Sequence, residues 1–301
     1  MSRTPRGTVC IVGSLNMDST LRVARLPAPG ETVLASRRYV APGGKGANQA
    51  AAAATVGGPV AMVGAVGADD SGKAAADSLR RRGVDVSPLV VQPAVGTGVA
   101  LVVVDDDGEN LIVVDAGANA TLEPAAAVES LQRLRPAVTL VQLEIPLPCV
   151  EAVVSSAYAG RVVLNPAPAP ADVTLLRGVL DEVDLLVPNR SELGALSGRP
   201  EPTTLEEVDA CVAALRFAGE VVVTLGADGA AVYPRDGERV TIPTEPVAPV
   251  NTSGAGDVFC GVLAARLAAG DALVEAATRA NRAAARSTQV DGAQVPPDFT
   301  P

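Results

Sequence analysis

The sequence predicts an α/β fold: a mostly parallel central sheet with helices on both faces and a small β-sheet lid at its side. Three observations lead there. Short runs rich in Val, Ile and Leu recur along the chain, Ala-rich stretches of helical length separate several of them, and two segments break the alternation with paired extended stretches around turn residues.

The apolar runs are Val9 to Val12, Val60 to Val66, Thr139 to Leu143, Val162 to Asn165, Leu185 to Pro188 and Val221 to Leu225. Runs this short and this continuously apolar suit strands buried on both faces, as in a parallel sheet. The helical stretches are Gly46 to Val56, Gly72 to Arg82, Pro124 to Leu134 and Thr204 to Ala218. Alanine propagates a helix at little entropic cost and keeps it slim. Strand and helix in alternation are the pattern of βα units. The exceptions are Ser19 to Val40 and Gly98 to Val114, the latter read as strands Val99 to Val104 and Asn110 to Val114 around Asp105-Asp106-Asp107-Gly108. Together they predict a lid from about 14–40 and 97–115 on a single domain spanning 1–301. There is no internal repeat, and the Pro-rich stretches Asn165 to Pro170 and Pro243 to Pro249 are too short to link domains.

Composition narrows the function. The 301 residues are 48% hydrophobic, enough for a large core, and carry a net charge of −10 with no basic run. Nucleic acid and anionic membrane are therefore poor partners, and small ligands are favoured. Cys10, Cys149, Cys211 and Cys260 lie too far apart for a zinc or redox motif and read as reduced core residues. Met1 to Arg6 runs straight into an apolar strand without a leader pattern, and no charge-free stretch reaches membrane-spanning length, so a cytoplasmic location is expected. Histidine is absent, which excludes imidazole chemistry and leaves acid–base work to carboxylates.

Two glycine-rich helix starts carry the chemistry. Asn251-Thr252-Ser253-Gly254-Ala255-Gly256-Asp257 precedes the apolar helix pattern Val258 to Ala269. Its glycines let backbone N–H groups turn toward an anion at a helix N-terminus, and phosphate is the natural occupant. Asp257 at the same terminus is expected to be held ionised by the helix dipole, in reach of an acceptor hydroxyl. By itself the segment fits equally well a Gly-rich loop with an Asp in the first helical turn. Pro42-Gly43-Gly44-Lys45-Gly46-Ala47-Asn48-Gln49 opens the first Ala-rich helix in the same manner. It lacks the spacing of a Walker A loop, and Ile11 to Asn16 lacks the glycines of a dinucleotide fingerprint, which disfavours a Rossmann dehydrogenase.

Gly43 to Asn48 with Asn251 to Asp257 resembles the paired signatures of the PfkB carbohydrate kinases, and the resemblance covers nearly the whole chain. Gly13 to Asp18, Thr97 to Ala100, Gly108 to Asn110, Ala116 to Asn119, Gln142 to Glu144, Leu164 to Pro168, Pro188-Asn189 and Gly292 to Gln294 extend it and narrow it toward the members that phosphorylate ribose. The resemblance implies a ribokinase-like three-layer α/β/α fold, and transfer of phosphate from ATP to O5 of D-ribose, giving ribose 5-phosphate and ADP. Alternatives are a PfkB kinase for deoxyribose, fructose or a nucleoside such as adenosine, and a catalytically silent sugar-binding regulator.

Residue by residue, the resemblance makes Asp257 the base and Gly254, Ala255 and Gly256 the anion hole. The sugar pocket is Asn16, Asp18, Gly44, Lys45, Asn48, Glu144 and Asp257. Read alone, Asp18 ends a first strand and fits a turn, Lys45 a solvated charge, Asn48 a cap, and Glu144 an exposed loop carboxylate. The nucleotide would meet Asn189, Thr224, Gly226, Gly229, Gly256 and Asn281, where Thr224 to Gly229 also fits a plain turn and a lone helical Asn is usually a surface residue. Asn189 and Glu192 would serve the Mg²⁺–phosphate region through water; their spacing is also that of a capping box, and the two roles are compatible. A monovalent-cation site would comprise Asn251, Ser253, Ser287, Val290 and Gly292. Family members of this kind usually carry Asp at the position of Asn251, and a Ser is common where this chain has Pro296, so a weakened K⁺ site is expected. Relatives commonly form homodimers through the lid.

Overall fold

The computed structural model describes residues 7–290 and 292–301; the opening segment Met1 to Arg6 lies outside them. Along the chain come β1 (Val9–Val12), β2 (Asn16–Arg22), β3 (Arg37–Gly43), α1 (Lys45–Ala54), β4 (Val60–Val63), β5 (Ala65–Gly67) and α2 (Asp70–Arg81). Then follow β6 (Val90–Gln92), β7 (Gly98–Val104), β8 (Asn110–Asp115), α3 (Pro124–Leu134), β9 (Val138–Val141), α4 (Leu147–Val154) and β10 (Arg161–Leu164). The remainder is α5 (Arg177–Leu180), β11 (Leu185–Leu186), α6 (Arg190–Ser197), α7 (Leu205–Leu215), β12 (Glu220–Thr224), β13 (Ala230–Tyr233), β14 (Val240–Ile242), α8 (Ala255–Ala268) and α9 (Leu273–Ser287).

Eight strands form the central sheet in the order β14-β13-β12-β11-β10-β9-β1-β4. From β4 to β12 every pair is parallel, and only β13, which pairs antiparallel with both β12 and the edge strand β14, runs against the others. Both faces are covered, and β1 shows how: Val9 and Ile11 enter one apolar cluster, Cys10 and Val12 the other. The first cluster joins the sheet to α1, α8 and α9, and the second joins it to α3, α4 and α7. Helices on both faces of a parallel sheet make the expected three-layer α/β/α arrangement. Helix α8 packs against both α1 and α9, which explains why almost all of its residues are apolar.

A second sheet of four strands, β3-β2-β7-β8, stands beside the first. Strand β2 pairs antiparallel with β3 and parallel with β7, and β7 pairs antiparallel with β8.

Three local readings differ from expectation. The run Val60 to Val66 is two strands: β4 belongs to the central sheet, whereas β5 pairs with β6. The change of sheet falls at Gly64, where a Cβ would meet Leu15 Cδ1 at 2.5 Å and the Gly13 carbonyl at 2.6 Å. Helix α7 stops at Leu215 because Arg216 adopts a left-handed conformation (φ 51°). Asp18 lies inside the seven-residue β2 rather than at the end of the first strand, paired with Ala41 and Ala100 on either side. Among the described residues, no helix is long and apolar enough to cross a membrane.

Candidate active site

The sheet's geometry brings the two glycine-rich helix starts together. Gly44 precedes α1 with φ 87°, and Gly254 precedes α8 with φ 77°, both in the region that glycine enters without cost. No side chain caps either helix. Close approach also enforces the glycines: a Cβ at Gly44 would lie 2.8 Å from the Asn16 amide nitrogen, and one at Gly254 would lie 2.3 Å from the Ala293 carbonyl.

Asp257, in the first turn of α8, is buried and held by two amides of α1. Asn48 Nδ2 donates to its Oδ2 at 3.1 Å, and Gln49 Nε2 donates to its Oδ1 at 3.0 Å. Asn48 is thus a ligand of the carboxylate and not a cap. Burial pushes the Asp257 carboxyl above the usual carboxylate range; Lys45, Asn48 and Gln49 oppose that shift, and Glu144 adds to it. Desolvation is the largest of these influences, and it works against the ionised form expected of a carboxylate at a helix N-terminus. Lys45 is half-buried rather than solvated. Burial draws its ammonium down, but the carboxylates of Asp257, Glu144 and Glu192 outweigh that and raise its pKa.

Glu144, beyond the carboxyl end of β9, is fixed inward: its Oε2 accepts from Ser14 Oγ at 2.5 Å and from the Lys45 backbone N–H at 3.1 Å. Asp18 leans toward Gly43, and its Oδ1 is buried without a partner. Burial, then Glu144, then Asp257 push its carboxyl up to about 6. Asn16 is oriented by Asn119, whose Nδ2 donates to Asn16 Oδ1 at 2.8 Å. The structure therefore gathers Asn16, Asp18, Gly44, Lys45, Asn48, Glu144 and Asp257 where the small sheet meets the carboxyl ends of β1 and β9 and the start of α1.

Below Asp257 lies a cavity of about 120 Å³ bordered by Lys45, Asn189, Glu192, Thr224, Gly256 and Cys260, among others. A second, of about 410 Å³, adjoins it through the shared residues Asn189, Thr224 and Gly256, and reaches Gly226, Phe259 and Asn281. Asn281 is a buried residue whose Nδ2 donates to the Pro243 carbonyl at 3.1 Å, so the surface reading fails. Gly229 does not line either cavity. Its role is in the turn, where a Cβ would lie 1.9 Å from the Ile242 carbonyl oxygen. Ala255 also departs from expectation: its N–H donates to the Thr252 carbonyl at 3.3 Å and is not an open anion donor.

Asn189 and Glu192 form the capping box in full, Asn189 Oδ1 accepting from the Glu192 N–H at 2.8 Å and Glu192 Oε2 accepting from the Asn189 N–H at 2.9 Å. Both also face the smaller cavity. Burial raises the Glu192 carboxyl, against the Asn189 N–H and Lys45. Among the described residues no cluster of three acidic or cysteine ligands exists, so a directly ligated metal cage is absent there. One half-buried carboxylate beside a carboxamide fits Mg²⁺ that keeps its waters and binds with phosphate.

At the expected cation site, the backbone N–H groups of Val250 and Asn251 both donate to the Thr288 carbonyl, so the loop before α8 sits against the segment after α9. Asn251 Oδ1 accepts from the Ser253 N–H at 2.9 Å, Ser287 Oγ donates to the Ala284 carbonyl at 2.8 Å, and the Val290 N–H donates to the Ser287 carbonyl at 3.2 Å. Gly292 has φ 100°.

Sequence reasoning assigned no role to Gln49, Gln142, Asn165, Ser14 or Asn119. The available signal was an amide in a continuously apolar setting, such as Gln49 within an alanine run and Gln142 at the end of a buried strand.

Residues 6–299 match the sequence profile of the pfkB family carbohydrate kinases. The chain is 37% identical to ribokinase from Bacillus subtilis over 289 residues, covering 95% of this chain and 94% of that one. It is 34% identical to ribokinase from Schizosaccharomyces pombe over 298 residues, with coverages of 95% and 93%. Among solved structures, Arabidopsis thaliana ribokinase complexed with ribose and ATP superposes with a TM-score of 0.86 at 32% identity, covering 96% of this chain and 95% of that one. With the α/β fold and both glycine-rich helix starts in place, the chain belongs to the pfkB family of carbohydrate kinases.

Proposed function

We propose that this chain phosphorylates D-ribose at O5 with ATP, producing ribose 5-phosphate and ADP. The observation that carries the reading is the placement of Asp257: a buried carboxylate, both oxygens held by amides, between the polar cluster of Asp18 and Glu144 and the cavity that opens toward Asn281. Likeness to a ribokinase complexed with ribose and ATP supports the choice of both substrates.

In the proposed reaction Asp18, assisted by Asn16 and Glu144, accepts hydrogen bonds from neighbouring sugar hydroxyls. Gly44 and Asn48 border the same pocket. Asp257 takes the proton of the O5 hydroxyl as that oxygen bonds to the γ-phosphorus, and the bond from phosphorus to the ADP oxygen breaks. The Gly256 N–H, freed by the turn at Gly254, and the Lys45 ammonium meet charge on the transferred group. Asn189 and Glu192 would hold Mg²⁺ through water, and the ion would supply charge neutralisation on the phosphates. Thr224, Gly226 and Asn281 line the space for the nucleotide.

The whole chain serves as one kinase domain in this reading. The β2, β3, β7 and β8 sheet is its lid, excluding water that would otherwise hydrolyse ATP, and it pairs with a second copy to form a homodimer. A cytoplasmic setting agrees with four buried, unpaired cysteines.

The test is ADP release from ATP and Mg²⁺ across a panel of pentoses, hexoses and nucleosides, with Asp257→Asn alongside. Ribose is expected to give the highest kcat/KM. A higher value for deoxyribose, fructose or a nucleoside overturns the substrate assignment, and undiminished turnover in Asp257→Asn removes Asp257 as the base.

A further inference from the structure

Behind Asp257 lies a chain of buried amides. Gln49 and Gln142 are wholly inaccessible to solvent. Gln49 Nε2 donates to Asp257 Oδ1 at 3.0 Å and to Asn165 Oδ1 at 3.1 Å, and Asn165 Nδ2 donates to the Val187 carbonyl at 3.1 Å. Gln49 Oε1 accepts from Gln142 Nε2 at 2.5 Å.

The polarity of this chain follows from chemistry. A carboxylate only accepts, so Gln49 must turn its NH₂ to Asp257, which leaves its carbonyl facing Gln142. Gln142 must then turn its own NH₂ to that carbonyl. Its Oε1 is thereby directed away, buried and without a partner, against Gly13, where a Cβ would lie 1.8 Å from it. A buried unpaired carbonyl costs about 1–3 kcal/mol. The arrangement tolerates that cost at its far end while the Gln142 amide holds the Gln49 amide with its NH₂ toward the reacting carboxylate.

We propose that Gln49 and Gln142 are positioning residues for phosphoryl transfer: Gln49 fixes the rotamer of the Asp257 carboxylate, and Gln142 fixes which way Gln49 points. The inference rests on the reading of Asp257 as base. Gln49 leaves Asp257 Oδ2 to Asn48 and so allows the carboxylate no rotation about its own axis. The charged and titratable groups facing Asp257 are Lys45 on α1, Asp18 on β2, Glu144 beyond β9, Glu192 on α6 and Cys260 on α8. None of them is altered when Gln49 or Gln142 is changed.

The experiment measures kcat, both KM values and the pH profile of kcat for Gln49→Met, Gln142→Met and Asp257→Asn in the full chain. Gln49→Met is expected to lower kcat by about 10-fold to 100-fold with both KM values nearly constant, as loss of an orienting partner does elsewhere. Because an amide donor favours the ionised carboxylate, its loss moves the acid limb of the profile up by about one pH unit. Gln142→Met, which removes no bond to Asp257, is expected to shift kcat and the limb in the same direction by less. A structural role alone would lower the melting temperature and leave the acid limb in place, and that result in Gln49→Met overturns the inference. Should Gln49→Met fail to fold, an unmoved limb and full kcat in Gln142→Met overturn it equally. Turnover retained in Asp257→Asn defeats the base assignment itself, separately from the relay.

Discussion

The carboxylate of Asp18 occupies the space that a side chain at Gly43 would need: a Cβ added to Gly43 would lie 2.0 Å from Asp18 Oδ2 and 2.4 Å from Oδ1. Asp18 pairs with Ala41 across the β2–β3 ladder, and Gly43 lies two residues further along the same face. Gly43→Ala leaves the backbone conformation accessible and acts by displacing the carboxylate. The expected outcome is a sugar KM raised by about tenfold or more with ATP KM unchanged, a cost of about 1.4 kcal/mol or more. Steady-state kinetics with each substrate varied in turn checks it; an equal change in both KM values would point to general loosening instead.

The same carboxyl should govern pH dependence. Its pKa is raised to about 6 in the folded chain, chiefly by burial. A carboxyl with a raised folded pKa contributes stability that is fully present below its unfolded value, near 4, and is lost as pH rises through about 6. Asp18→Asn removes that loss, so the unliganded variant is expected to be more stable than the parent at pH 8, by at most about 3 kcal/mol, with little difference at pH 4. Thermal melts at the two pH values decide it. Sugar affinity should move the other way: only the ionised form accepts from two hydroxyls, so the parent's sugar KM rises as pH falls below about 6.

Much of this site was legible in the sequence because a few residues report their own constraints. Gly44 and Gly254 mark backbone turns at helix starts, and the carboxylates Asp18, Glu144 and Asp257 are the acid–base groups left when histidine is absent. What was not legible depends on contacts between distant segments. Gln49 looks like a polar position on an Ala-rich helix, and only the packing of α1 on α8 turns it toward Asp257. The division of Val60 to Val66 between two sheets is set at Gly64 by Leu15 and Gly13, beyond any local pattern. Ala255 has the sequence setting of an anion donor, yet its N–H closes a turn with Thr252.

Asn281 borders the larger cavity from α9, far from the sugar cluster, and is tied to the strand-end carbonyl of Pro243. Removing the carboxamide in Asn281→Ala should raise ATP KM by about five- to tenfold, equivalent to one hydrogen bond of about 1 kcal/mol, and leave sugar KM alone. Competition with a fluorescent nucleotide separates binding from turnover. Unchanged nucleotide affinity would remove Asn281 from the site.

Monovalent-cation activation should be weak, because Asn251 offers an uncharged oxygen that already accepts from the Ser253 N–H at 2.9 Å. A carboxylate there would add the charge that attracts a cation. Activity at fixed ionic strength is expected to change less than about twofold when K⁺ replaces a large organic cation, and Asn251→Asp should increase that dependence. Strong activation of the parent chain by K⁺ would show that the neutral oxygen suffices.

The β8 edge of the small sheet is apolar and open. All six residues of β8 are exposed, including Leu111, Ile112, Val113 and Val114, and Leu101 on the neighbouring β7 is exposed as well. An apolar strand at a sheet edge presents both unpaired backbone groups and unburied side chains, which natural proteins normally cover. Alternation places Ile112 and Val114 on one face and Leu111 and Val113 on the other, so one face can close over the sugar while the other meets a second copy. A two-fold axis would then set each Ile112 near its symmetry mate's lid, and Ile112→Lys with Val114→Lys would bring like charges together. Light scattering during size exclusion is expected to give the mass of a dimer for the parent chain and of a monomer for the double variant. A monomeric parent at micromolar concentration would leave β8 covered only by the lid's own closure.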